Sequence, residues 1–172
     1  MNFTPFPILE TDRLRLRAPQ ASDASAIFAH RNDDKVNEYL FNWRHDTIDQ
    51  SIEFIETVRA NIANGSSIYW IITKKGNDHF IGSICLWNIR MEEYTAEIGY
   101  TLDPVHQGKG YMDEALKYVI HYGFTTMKLK IIEAVTDERN AASTKLLLRN
   151  HFIPGHAKDE LYEHEVYFVM ER

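Results

Sequence analysis

Residues 103–124, DPVHQGKGYMDEALKYVIHYGF, set two glycines, Gly108 and Gly110, directly ahead of a segment with helical periodicity. Met112, Ala115, Leu116, Val119, Ile120 and Gly123 recur at i, i+3, i+4, i+7 and i+8, which predicts a helix with one buried face. Asp113, Glu114, Lys117 and His121 fall on its other face. The first turn of a helix carries amide N–H groups without partners and the positive end of the macrodipole. Bare backbone there points to an anion held against the main chain, a phosphate first. Two familiar phosphate loops do not fit. A P-loop follows its second glycine with Lys and Ser or Thr, whereas Lys109 stands between the glycines. A dinucleotide loop needs a third glycine where Asp113 stands, and a carboxylate there would repel a pyrophosphate. A ligand-free tight turn from strand to helix is the competing reading of the pair.

Upstream, SSIYWIITK, FIGSICLWNI and AEIGYTL are apolar, strand-like runs separated by turn-like KKGNDH and polar RMEEYT, the pattern of an antiparallel meander. Downstream, KIIEAVT is a further strand. A strand on each side of the glycine-led helix makes a right-handed crossover, so at least one pair in the sheet is expected to be parallel. NAASTKLLLRN then reads as a helix and VYFVMER as a closing strand. At the other end, DRLRLRA alternates Leu14 and Leu16 with Arg13, Arg15 and Arg17, a half-buried strand whose arginines are expected to face outward. Ser22 or Asp23 can cap a short helix through Ala26, Ile27 and Phe28. Thr47 and Gly65 bracket a longer one, with Ile48, Ile52, Ile55, Val58 and Ile62 at helical spacing. Together these elements describe one mixed α/β domain over residues 1–172, without repeats or linkers.

Composition narrows the function. With 44% hydrophobic and 26% charged residues the 172-residue chain is of ordinary globular type. Its single cysteine, Cys85, excludes an intrachain disulfide and, lying in FIGSICLW, is expected to pack as a small hydrophobe in a reducing compartment. The N-terminus shows no basic segment leading into a long apolar run, and no stretch approaches the roughly 18 apolar residues of a membrane span, so a soluble, cytoplasmic protein is expected. A net charge of −6 has the wrong sign for gripping a nucleic-acid backbone and suits an amine partner better. The eight histidines show no i, i+4 pairing on a helix, and no metal site is expected.

The stretch around Gln107 closely resembles the acetyl-CoA-binding signature of the GNAT superfamily of N-acetyltransferases: Arg or Gln, glycine three residues on, and a small residue two further. Gln107, Gly110 and Met112 take these positions, Met112 replacing the small residue. DERNAASTKLLLRNHF resembles the family's N-x-x-S-x-x-L segment through Asn140, Ser143 and Leu146, with Leu147 where many relatives have tyrosine and His151 where glycine usually precedes Phe. LETDRLRLR is similar to the first strand of the RimJ/RimL-like branch, which acetylates protein N-terminal amines. The resemblance spans nearly the whole chain and implies a mostly antiparallel central sheet with flanking helices.

It also implies acetyl-CoA as co-substrate and no metal. The pyrophosphate would lie on the amides from Gln107 through Gly108, Lys109, Gly110 and Tyr111 to Met112, with Lys109 as an added cation. The pantetheine arm would pair with main chain at Tyr100, Thr101 and Leu102, one amide there serving as an oxyanion donor. Asn140 would hold the arm and Ser143 would donate toward the leaving thiolate. Glu97 and Glu160 are the carboxylate candidates for general base, directly or through water. Tyr39, Phe41 and Trp43 would line the acceptor pocket. Each has a plainer alternative: a solvated loop for Lys109, a helix cap for Asn140, surface charges for the glutamates, loop packing for the aromatics. The implied acceptor is a protein N-terminal α-amine, because a group with a pKa near 8 sheds its proton more readily than a lysine near 10.4. A small-molecule amine such as a polyamine, antibiotic or amino acid, or a non-catalytic acyl-CoA-binding sensor module, are the alternatives. Relatives commonly pair, so a homodimer is one implied arrangement.

Overall fold

The computed structural model describes residues 1–41, 43–157 and 162–172. The elements are β1 (Leu9–Glu10), β2 (Leu14–Arg17), α1 (Ala24–Asn32), α2 (Ile48–Asn64), β3 (Ile68–Lys74), β4 (Asn77–Arg90), β5 (Thr95–Leu102), α3 (Tyr111–Thr125), β6 (Ile131–Asp137), α4 (Ala141–Arg149), β7 (Ile153–Pro154) and β8 (Glu165–Glu171). The eight strands form one sheet in the order β1-β2-β3-β4-β5-β6-β8-β7. Its pairs are antiparallel except β5 with β6, the parallel pair joined through α3. Among the described residues no helix is long and apolar enough to cross a membrane.

Both faces of the sheet are covered, which is why β3 reads IYWII without alternation. Ile68, Trp70 and Ile72 pack with Met112, Ala115, Leu116 and Val119 of α3 and with Leu147 of α4. Tyr69 and Ile71 point the other way, against Ala24 and Ile27 of α1 and Ile55 and Val58 of α2. The period-two rule carries this division into β5: Ala96, Ile98, Tyr100 and Leu102 belong to the α3 side, while Thr95, Glu97, Gly99 and Thr101 face the α1 side.

Two local expectations give way to tertiary contacts. Arg13 and Arg15 do lie outward, but Arg17 is buried: its guanidinium meets Asp23 in a bidentate pair at 2.7 and 2.8 Å and Asp78 at 2.7 Å. Asp23 therefore does not cap α1 with its side chain; it holds Arg17 and accepts from the Gln20 amide at 2.8 Å. Ser22 is exposed. A buried guanidinium survives only where each donor finds an oxygen, and Ala18 and Asp78 carbonyls take the remainder. In α2, Thr47 and Gly65 bound the helix as expected, Gly65 at φ +77°, whereas Ile48 and Ile52 are exposed at the end of its apolar stripe. Cys85 donates weakly to the Gly99 carbonyl at 3.6 Å, and burial pushes its thiol up to about 12, which leaves it a packing residue.

Candidate active site

The site begins where the sheet opens. β5 and β6 pair at Thr95–Ile131, Ala96–Ile132 and Glu97–Glu133, and there the ladder ends. Beyond it β5 stays with β4 while β6 continues beside β8, so a wedge separates two strands that were neighbours. A cleft of about 770 Å³ occupies this side of the molecule. Tyr100, Thr101 and Leu102 line it from β5, Gln107, Gly108, Gly110, Tyr111 and Met112 from the glycine loop and α3, and Asn140 and Ser143 from the start of α4.

At its mouth, α3 starts on Gly110 at φ +76°, with no side-chain cap among the described residues. Glu114 N–H is bonded back to the Gly110 carbonyl at 3.1 Å, so the amides of Tyr111, Met112 and Asp113 are the first-turn donors left over. Gly108 is also left-handed, at φ +71°. Two such residues flanking one amide turn successive N–H groups toward the same concave surface, the geometry that cradles phosphate. Met112 packs into the core, 8% exposed, while still lining the cleft. By contrast, α4 has a conventional cap: Asn140 Oδ1 accepts from the Ser143 amide at 3.0 Å.

Gln107 and Lys109 are turned to the loop itself. Gln107 Nε2 donates to the Leu102 carbonyl at 3.0 Å, closing the loop onto the end of β5. Lys109 Nζ donates to the Val105 carbonyl at 2.7 Å, and Lys109 is not among the residues lining the cleft. Positive charge there comes instead from Lys35, Arg139, Lys145 and Arg149, which no motif singles out in the sequence. Arg139 is held by Asp137 at 2.5 and 2.8 Å. Lys145 and Arg149 lie at i, i+4 on α4, a spacing that is the one local signal for them.

The opening strand supports this loop from outside the cleft. Arg13 donates to Glu114 through Nε at 2.6 Å and to the Lys109 carbonyl through Nη1 at 2.9 Å, and its guanidinium lies 4.6 Å from the centre of the Tyr111 ring. Glu114 also accepts from the Thr11 hydroxyl and the Arg13 amide. A further tie is equally invisible in sequence: buried His30 on α1 bridges Asp103 at 2.7 Å and the Thr101 hydroxyl at 2.9 Å, and Thr101 lies 3.2 Å from Ser83. It fixes the end of β5 from which the loop leaves.

Glu97 sits where the wedge begins, on the sheet face opposite Tyr100 and Ser143. Burial first, then the nearby Glu133 carboxylate, pushes its carboxyl up to about 7. Glu133 itself is buried and ion-paired with Arg90 at 2.5 Å. The ladder slips between Trp87–Glu97 and Arg90–Thr95, and within that bulge Asn88, at φ +48°, hydrogen-bonds Glu97. Glu160, the other carboxylate candidate, lies outside the described residues.

Of the aromatics expected at an acceptor pocket, Tyr39 lines the cleft, its hydroxyl donating to Glu38 at 2.8 Å. Phe41 is 82% exposed, with the Tyr162 ring 6.2 Å away. Trp43 is a packing residue: its ring stacks on buried Arg31 at 3.7 Å and its carbonyl accepts from Arg31 at 2.8 Å.

A split mixed sheet with an uncapped, glycine-led helix at the mouth of the split can hold a phosphate-bearing ligand with an extended arm. The family model of the acetyltransferase (GNAT) domain matches residues 13–153. The uncharacterised N-acetyltransferase YoaA of Bacillus subtilis strain 168 is 38% identical over 147 residues, 86% of this chain and 83% of that protein. The ribosomal-protein-serine acetyltransferase of Escherichia coli K12 is 36% identical over 103 residues, 57% and 55% of the two chains. RimJ of Mycobacterium smegmatis, solved in complex with CoA-disulfide, superposes with a TM-score of 0.83 at 20% identity, covering 95% of this chain and 86% of the other. The chain belongs to the GNAT family and is an acetyl-CoA-dependent N-acetyltransferase.

Proposed function

We propose that the chain transfers the acetyl group of acetyl-CoA to the α-amine of a protein N-terminus. The observation that carries the cofactor half is the coincidence of three features at one cleft: the opened β5–β6 ladder, the uncapped start of α3 and a rim of Lys35, Arg139, Lys145 and Arg149 in a protein of net charge −6. The free amides of Tyr111, Met112 and Asp113 suit a pyrophosphate, the Asp113 carboxylate being engaged by Lys117 at 2.7 Å and Asn150 at 2.8 Å, and the basic rim suits further phosphate. The edge of β5 from Ile98 on, left without a strand partner and closed at the Leu102 carbonyl by Gln107, suits an extended amide-bearing arm, with one of its amides polarising the thioester carbonyl.

Glu97 is the favoured general base. A carboxyl near 7 is half ionised at neutrality and matched to removing the proton of an α-ammonium whose own pKa is near 8. Ser143, across the split sheet, donates toward the thiolate as it leaves. The N-terminal amine is favoured over a small amine by the likeness to the ribosomal-protein-serine acetyltransferase.

Thiol release from acetyl-CoA, followed with a thiol reagent across N-terminal peptides, polyamines, aminoglycosides and amino acids, tests this. Release with peptides bearing a free α-amine, lost when that amine is blocked, is the expected result. Release only with polyamines or aminoglycosides would reject the protein acceptor, and CoA binding without release under any acceptor would reject the enzyme's proposed chemistry.

A further inference from the structure

The Tyr100 and Ser143 hydroxyls lie 2.8 Å apart, one on β5 and the other on the first turn of α4, and both residues line the cleft. Two hydroxyls carry two protons. One is used in the bond between them, so the other is free for a ligand in the cleft. Which hydroxyl donates decides what a ligand meets. If the phenol donates, the serine proton points outward; if the serine donates, its proton is spent on the phenol.

We infer that Tyr100 is a positioning residue for the acyl transfer: its phenol donates to Ser143 Oγ and so turns the Ser143 proton toward the leaving sulfur. The inference rests on the acetyl-transfer reading of the cleft and adds a side-chain function to a residue otherwise engaged through its backbone. Chemistry favours this direction, because a phenol is a stronger acid and better donor than an aliphatic alcohol, and the alcohol oxygen the better acceptor. Burial pushes the Tyr100 phenol up to about 12, which keeps it protonated and its proton available to donate throughout the neutral range. Ser143's own amide is anchored to Asn140 at 3.0 Å, which fixes the backbone from which its hydroxyl projects.

The step balances without a further reactant. The amine nitrogen forms its bond to the acetyl carbon and loses a proton to the base, the C–S bond breaks, and its electron pair stays on sulfur. The chain Tyr100 O–H to Ser143 O–H to sulfur stabilises that thiolate, each bond polarising the next, and the thiolate then takes a proton from water in the open cleft.

The test is a double-mutant cycle of Tyr100→Phe, which removes only the hydroxyl, and Ser143→Ala, read in kcat, in KM for acetyl-CoA and in the pH at which the thiol of bound CoA ionises, followed by its ultraviolet absorbance. Expected are a fall in kcat of roughly tenfold for Tyr100→Phe with KM for acetyl-CoA within about twofold, and a double variant no slower than Ser143→Ala alone. The bound thiol should ionise at higher pH in either single variant than in the unaltered protein. A kcat within twofold for Tyr100→Phe, multiplicative losses, or an unchanged thiol titration overturns the inference. If CoA binds but no acceptor releases thiol, the acetyl-transfer reading fails and the titration still decides the hydroxyl chain. If CoA does not bind, both fall.

Discussion

Replacing Glu97 with Gln should make the protein more stable in alkali and less active everywhere. The carboxyl moves from an ordinary 4.5 to about 7 on folding, chiefly through burial and then through Glu133. Each pH unit corresponds to 1.36 kcal/mol, so the ionised form is disfavoured by at most about 3 kcal/mol. Glu97 is only partly buried, and screening by water reduces this to about 1–2 kcal/mol. The sign follows from proton counting: between pH 4.5 and 7 the native state holds more protons than the unfolded one, so stability falls as pH rises through that window and levels off above it. Glutamine keeps the hydrogen bond to Asn88 and removes the charge. Urea unfolding should therefore show the variant about 1–2 kcal/mol more stable at pH 8 and only a few tenths more stable at pH 5. In the same protein the rise of kcat/KM with pH through about 7 should disappear, leaving a low, flat profile. A stability gain equal at both pH values, or none at pH 8, would refute the environment ascribed to Glu97; an unchanged pH profile would remove it as base and direct attention to Glu160.

Gly110→Glu should weaken CoA binding by more than about 100-fold by calorimetry, because it forces a side chain onto φ +76° with its Cβ 3.4 Å from Arg13 Nη2, adds a negative charge beside the proposed pyrophosphate site and competes for the arginine that holds the loop; unchanged affinity would move the pyrophosphate elsewhere. Arg17→Met should cost about 3–5 kcal/mol in chemical unfolding, since it leaves Asp23 buried without its partner. A double change to Met at Arg17 and Leu at Asp23 should recover much of that loss. His151→Gly should raise stability by about 0.5–1 kcal/mol: His151 stands at φ +66° just past α4, with its amide on the Leu148 carbonyl and that of Phe152 on Leu147, the pattern in which glycine is the favoured residue. A loss of stability there would mean that the imidazole has a contact worth more than the backbone strain.

The elements of this fold are readable from sequence because they are set by local periodicity and punctuation: Thr47 and Gly65 bound α2, and the apolar run after Gly110 defines α3. The parallel pair is legible too, since a strand, helix and strand in succession admit little else. Arg17 escapes this kind of reading because period two assigns a face by alternation alone, and nothing near it in sequence reveals that Asp78, across the sheet, will meet it. The same holds for Arg13, whose partners Lys109 and Glu114 are about a hundred residues away.

That division explains which parts of the site are legible. An anion held by main chain needs glycines and a helix start, both written in one short stretch, so the proposed phosphate loop from Gly108 through Met112 can be named from the amino-acid order alone. Groups that act through side chains depend on partners brought by the fold. Lys109, nearest to the motif, bonds Val105, while the basic rim comes from Lys35 on one side and Arg139, Lys145 and Arg149 on the other. Glu97 can be named from its place on a strand, but its poise near neutrality arises first from burial in the folded sheet and then from the parallel register that sets Glu133 beside it, while the hydrogen bond from Asn88 pulls the other way. On the proposed reading the sheet does two things with one defect: the point where β5 leaves β6 opens a slot for the arm of the cofactor, and the last paired residues before that opening are Glu97 and Glu133, whose repulsion adds to burial in raising the Glu97 carboxyl. Moving that register by a single residue would turn Glu97 to the α3 face, out of reach of Asn88 and Glu133, and dissolve both features together.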